Sequence, residues 1–286
     1  MEIKHLKNEF NEVGFLINKN FWNEDEITKF HESFYELLIM QGKKISIDFE
    51  KINNQEMLSE RIINLSRIIE SKNRNAFNQL IQMQREMYLN NLLVYSKKEL
   101  IELSSFLLSC DQKRLKIHQD GCLVNFPKNS TRLYRYHSEQ NYYPFRKNFI
   151  NIWFPLVNNK NERNGTMMIR PKGHKRNYED FVEFSGYSEI KESNSMNEEK
   201  DFYQLNIPDI DLNGLDEYPC ELNVGDAIIF HQNLPHTSTI NKTKIPSFAY
   251  ILRIYDFSKD RTLGNYNGIK KYSSDAAKNA ILNPEF

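Results

Sequence analysis

The chain changes character near Cys110, and that change constrains its fold more than any single residue. Before it, from about Glu56 to Ser109, there is almost no Gly or Pro, and apolar residues recur at helical spacing: Leu80, Met83, Met87 and Leu92. After it come short β-branched or aromatic runs: Arg114–His118, Phe149–Phe154, Thr166–Ile169, Asp226–Phe230 and Phe248–Ile254. Turn residues separate them, among them Asn158-Asn159, Asn164-Gly165, Pro171, Gly173 and Pro246. Helices first and strands afterwards predict a β-core with a helical layer packed outside it.

The first residues fit the same plan. Gly14-Phe15-Leu16-Ile17 reads as a short strand. Asn23 then caps a helix whose first turn is acidic (Glu24, Asp25, Glu26) and whose apolar stripe is Ile27, Phe30, Phe34, Leu37 and Leu38. The expected fold is mainly β with a helical layer: a double-stranded β-helix core of the jelly-roll or cupin kind, preceded and flanked by α-helices. We expect one domain over 1–286: a mostly helical layer to 110, the barrel over 111–260, and a C-terminal tail over 261–286. An acidic, irregular excursion from about 178 to 222 is a candidate lid.

Charge and cysteine content exclude several classes. Lys+Arg and Asp+Glu both number 38, so no basic excess points to nucleic acid. No apolar run approaches the roughly 18 residues of a membrane span, and the first residues carry no apolar signal-peptide segment. Cys110, Cys122 and Cys220 have no paired spacing and read as reduced thiols. The expected location is cytoplasmic, with no membrane or nucleic-acid partner.

Two His-x-acid pairs stand out, His118-Gln119-Asp120 and His137-Ser138-Glu139. Such a pair on a strand points both side chains to one face, which suits a two-histidine, one-carboxylate metal site with open positions. With 7 His and 38 acids, chance alone supplies roughly one such pair, so context must choose between them.

That context is an ordered series of motifs. Tyr136-His137-Ser138-Glu139 is followed by Asn151-Ile152-Trp153-Phe154-Pro155-Leu156, Asn164-Gly165-Thr166-Met167 and Pro171-Lys172-Gly173-His174. Gly225-Asp226-Ala227-Ile228-Ile229-Phe230 and His236-Thr237-Ser238-Thr239-Ile240-Asn241 come later. Together they resemble the phytanoyl-CoA dioxygenase family over most of the chain. The resemblance implies Fe(II) held by His137, Glu139 and His236, with His118 and Asp120 as the alternative first pair. The family uses Asp far more than Glu at the carboxylate position.

The resemblance also implies 2-oxoglutarate as cosubstrate and molecular oxygen as co-reactant. The family's Arg for the distal carboxylate falls at Ser247. Lys116 and Arg253 are possible replacements, and Asn151 and Ser238 match positions that contact the cosubstrate elsewhere in the family. The implied activity is hydroxylation of an unactivated C–H bond in a small metabolite or glycan precursor, with Glu139 arguing against halogenation. Tyr134, Tyr136, Tyr142, Tyr143 and Phe145 could stack on such a substrate. Other readings stay open: a non-catalytic or non-redox jelly-roll module binding a small molecule or carbohydrate, and a metal-dependent isomerase or hydrolase.

Overall fold

The computed structural model describes residues 3–49, 57–83, 88–127, 134–143, 146–178, 183–187 and 202–259. A helix that was not anticipated, α1 (Ile3–Val13), comes first, although Ile3, Leu6, Phe10 and Val13 recur at helical spacing; Phe10 is buried and Leu6 packs against the core. The strand β1 (Phe15–Asn18) follows, and then α2 (Glu24–Lys44). The Asn23 cap is reciprocal: its side chain accepts from the Glu26 amide at 2.9 Å, and the Glu26 carboxylate accepts from the Asn23 amide at 2.9 Å. The long helical stretch is four helices, α3 (Leu58–Lys72), α4 (Arg74–Met83), α5 (Tyr88–Ser96) and α6 (Lys98–Leu108). Within the expected stripe Leu80 is buried, but Leu92 is 46% exposed, and its neighbours Leu93 and Val94 face the core instead. The Met83 and Met87 side chains lie outside the described residues.

Four of the remaining strands and β1 account for most of the antiparallel pairing. β2 (Leu115–Asn125), β3 (Phe149–Pro155), β4 (Met167–Ile169), β5 (Glu183–Tyr187), β6 (Phe202–Asn206), β7 (Tyr218–Pro219), β8 (Ala227–His231), β9 (His236–Ser238) and β10 (Ser247–Asp256) follow in chain order, with a one-turn helix α7 (Glu139–Tyr142) between β2 and β3. The larger sheet runs β1-β8-β3-β10-β2 and the smaller β7-β4-β9. The stretch expected to be irregular from 178 to 222 in fact contributes β7 to the smaller sheet and a separate β5–β6 hairpin. Residues 179–182 and 188–201 of this stretch, and the expected tail over 261–286, lie outside the described residues.

Strand β10 explains how the layers divide. Its even-numbered residues Phe248, Tyr250, Leu252 and Ile254 belong to the core shared with the helices. Phe34 meets Phe248 edge-on at 5.9 Å, and Phe30 meets Tyr250 at 5.9 Å. Ala249 and Ile251 join a second cluster with Trp153, Ile228 and Phe230 of the larger sheet and Met167 and Ile169 of the smaller. Odd-numbered positions of β10 therefore face the space between the sheets. Covered on both faces, the strand reads as a near-continuous apolar run, and Ser247 and Arg253 are the polar exceptions on its inner face.

Candidate metal centre

His137 and His236 approach through their backbones. They form an isolated antiparallel bridge in which each amide donates to the other's carbonyl at 3.0 Å. Residue 236 starts β9, which pairs with β4 through Ile169. After His137 the chain does not continue as a strand, contrary to the expected His-x-Glu geometry. Ser138 is extended (φ −119°, ψ 145°) and Glu139 opens α7. The single extended residue still places both side chains on one side.

The rings face each other, with centroids 4.2 Å apart. His137 Nδ1 contacts the Arg135 carbonyl at 2.7 Å and His236 Nδ1 contacts the Leu234 carbonyl at 2.9 Å. A carbonyl can only accept, so both Nδ1 atoms carry the proton and both Nε2 atoms present lone pairs. Glu139 Oε1 lies 3.9 Å from His137 Nε2 and 3.5 Å from His236 Nε2. The ligand atoms all fall within 4.8 Å of one another, and all three residues are buried. Burial holds each imidazole down at about 4, so both are neutral at pH 7 and able to coordinate. This donor set fits a divalent ion with open positions.

The Glu139 carboxylate is held from its other side. Arg253 Nη2 is 2.7 Å from Oε2, with both side chains 7% exposed or less. Burial pushes the carboxyl up, while the His137 and His118 imidazoles oppose that shift. With Oε2 engaged, Oε1 is the oxygen turned to the histidines. The arginine also lies 4.7 Å from the Tyr143 ring centroid.

The other candidate residues scatter. His118 sits on β2 opposite Arg253, 6.2 Å from the Tyr143 ring. Asp120 falls at the register shift between Gly121 and Gln119, a β-bulge, and its side chain lies outside the described residues. Lys116 does not reach inward: it is exposed and lies over the Phe257 ring at 5.3 Å. Ser238 follows His236 on β9 and is half-buried. Asn151, on β3 between Arg253 and Phe230 in register, is fully buried with neither amide atom hydrogen-bonded.

The aromatic group divides too. Tyr134 and Tyr142 lie 5.3 and 5.5 Å from the His137 ring. Tyr136 points elsewhere, with its hydroxyl on Glu217 at 2.8 Å and its ring under Arg170. Phe145 lies outside the described residues. His174 and His231 are not part of the metal cluster: His174 meets the Asn11 carbonyl at 3.1 Å, and His231 Nδ1 accepts from the Asn233 amide at 3.0 Å.

One residue at this interior was not anticipated. Lys160, only 4% exposed, donates to Ser247 Oγ at 2.7 Å, so a cation does stand beside the position where the family has Arg.

Comparison with known proteins now bears on the arrangement. The family model for phytanoyl-CoA dioxygenase matches residues 10–247. The chain belongs to the phytanoyl-CoA dioxygenase family. Its fold is that of several solved members of the iron- and 2-oxoglutarate-dependent oxygenases. EvdO2 from Micromonospora carbonacea var. aurantiaca is 16% identical, with a TM-score of 0.54 over 87% of this chain and 89% of that one. EctD from S. alaskensis, solved with 2-oxoglutarate and 5-hydroxyectoine, is 15% identical, with a TM-score of 0.55 over 89% and 76%. The epimerase SnoN, solved with Fe3+, α-ketoglutarate and nogalamycin RO, is 11% identical, with a TM-score of 0.55 over 92% and 91%. A search of curated proteins finds no match. Family and neighbours together make this an iron- and 2-oxoglutarate-dependent oxygenase in the general sense. No helix among the described residues is long and apolar enough to cross a membrane.

Proposed function

We propose that the chain, acting as one catalytic unit on a jelly-roll core, hydroxylates an unactivated C–H bond of a small metabolite or glycan precursor. The observation that carries this reading is the convergence of His137 Nε2, His236 Nε2 and Glu139 Oε1 in a buried site, with both Nδ1 atoms tied to backbone carbonyls. When bound there, Fe(II) and 2-oxoglutarate supply the oxidising chemistry, consuming molecular oxygen and releasing succinate and carbon dioxide.

The protein's own residues do the rest. His137 and His236 stay neutral and aimed, because the Arg135 and Leu234 carbonyls fix their tautomers. Arg253 engages one oxygen of Glu139 and leaves the other to the metal, which accommodates the longer acid where the family uses Asp. A carboxylate in that position leaves no room for a halide ligand, which favours hydroxylation. Asn151 offers an amide with no partner among the described residues, suited to a polar group of the cosubstrate or substrate. Tyr134 and Tyr142 form an aromatic wall next to the ligand histidine, suited to a planar or amphipathic substrate. The neighbours named as an epimerase and a carbocyclase indicate that substrate placement, more than the ligand set, decides the outcome on this fold.

The test is succinate formation from 2-oxoglutarate by the purified protein under air. We expect iron-dependent, weakly uncoupled turnover without substrate, and its loss in His236→Ala and His137→Ala. Absence of iron-dependent succinate across a broad panel of small-molecule substrates would overturn the proposal.

A further inference from the structure

Ser247 leaves the far end of the inter-sheet space without the family's arginine, and Lys160 is the cation found there. Its backbone is pinned beside the smaller sheet by reciprocal hydrogen bonds with Leu222, at 2.8 and 3.0 Å. From that bridge the side chain runs inward. Nζ lies 2.7 Å from Ser247 Oγ, 3.3 Å from the Gly165 carbonyl and 6.0 Å from the Trp153 ring centroid. Trp153 belongs to the cluster between the sheets, so the amine sits in that space.

All of these contacts are to neutral groups. Ser247 Oγ donates onward to the Asn164 carbonyl at 2.7 Å, leaving it an acceptor for the lysine. Among the described residues no carboxylate pairs with Lys160, and an ammonium has a third N–H to place. Burial drives its pKa down from 10.5 to about 7, as expected for an amine with no counter-charge. Buried charges are ordinarily paired, because an unpaired one is costly.

The location suits one end of a diacid. The Gly165 carbonyl belongs to the turn whose next residue, Thr166, donates its amide to Thr239 Oγ1 at 2.9 Å. Thr239 follows the ligand His236 by three residues, about 10 Å of extended chain. The metal ligands thus stand at one end of a common interior and Lys160 near the other. A serine at 247 leaves the volume that Lys160 fills, and an arginine there would contend with it for space and charge.

Resting on the oxygenase reading above, we propose that Lys160, seated on Ser247, binds the distal carboxylate of 2-oxoglutarate in place of the family's arginine. Ser247 acts as the positioning residue. The cation has moved from β10 to the segment after β3, and the incoming carboxylate completes a pair that the protein leaves half-built.

The test is calorimetric binding to Mn(II)-loaded protein, which requires no turnover. 2-Oxoglutarate is compared with 2-oxopentanoate, a 2-oxo acid that keeps the chelating end and lacks the distal carboxylate. Wild type should prefer 2-oxoglutarate by roughly 100-fold, the weight of a buried charge pair. Lys160→Met should bind the two alike, and adding Ser247→Arg to it should restore the preference. A second readout uses the wild type alone: at pH 8, 2-oxoglutarate binding should take up most of a proton, seen as a buffer-dependent heat, and 2-oxopentanoate binding should take up none. Equal affinity of wild type for both acids, or a preference that survives Lys160→Met, would overturn the assignment while leaving the oxygenase reading intact. Failure of wild type to bind either acid would sink both.

Discussion

Arg253 and Lys160 are both buried on inner faces of this fold, and they differ in what balances them. Arg253 is matched within the protein by Glu139, 2.7 Å away. Lys160 hydrogen-bonds, among the described residues, to a hydroxyl and a carbonyl. Both lie beside the same strand, at opposite ends of its inner face, with Ala249 and Ile251 between. A charge satisfied internally holds a ligand in place before anything binds. A charge left open makes binding depend on an anion of the right reach. The metal end is thus built to be rigid and the far end to be selective.

Breaking the paired end should have the largest effect. In Arg253→Met the Glu139 carboxylate loses its cation in a buried site, at a cost of about 3–5 kcal/mol in urea denaturation of the metal-free protein. Saturating Mn(II) should recover much of that loss, since the metal supplies positive charge to the same carboxylate. An equal loss with and without metal would mean that the arginine acts through packing alone.

Breaking the open end should act in the opposite direction. Lys160→Met removes an uncompensated charge and should stabilise the metal-free protein at pH 6 by on the order of a few kcal/mol. In the unfolded chain the amine holds its proton up to its ordinary 10.5, in the fold only to about 7. Between those values the unfolded chain binds the extra proton, so raising the pH across that window stabilises the wild-type fold. The variant should lose this slope, and denaturation at several pH values measures it.

The histidines add an acid limb. His137, His236 and His231 are all held near 4 by burial, against 6.5 unfolded. The unfolded chain therefore takes up protons first as pH falls, and metal-free stability should decline from pH 6.5 towards 4. His231→Phe should shallow this decline without changing Mn(II) affinity; a changed affinity would place His231 in the metal site. The smallest effect belongs to Lys116→Ala. The exposed lysine over Phe257 touches neither cation, so stability should shift by less than about 0.5 kcal/mol and 2-oxoglutarate affinity should not change.

The two ends also differ in how far the sequence reveals them. His137, Glu139 and His236 could be picked out because each sits inside a local motif, and the order of the motifs separates them from His118 and Asp120. The strands of the larger sheet and β4 were legible from apolar runs bounded by turns, and α2 from its cap and stripe, whereas β5, β6, β7 and β9 were not. Lys160 carries no such signal. It follows two asparagines in a polar turn, and only its bridge with Leu222 and the long-range contact with Ser247 turn it inward. The departure at Ser247 was visible in the sequence; its compensation, 87 residues away, was not. Similarly, α1 has a helical spacing in Ile3, Leu6, Phe10 and Val13 but spans only three turns, and the stripe through Leu80 in α4 does not carry on to Leu92 in the separate helix α5, where Leu93 and Val94 are buried instead.

The reciprocal amide–carbonyl clasp between His137 and His236 has a consequence for how metal is gained and lost. Because the two imidazoles ride on main chain already stitched together, their spacing does not wait for an ion to assemble it. Stripping the ion with a chelator should leave the clasp shut, and reloading should proceed as a simple docking event with no refolding phase.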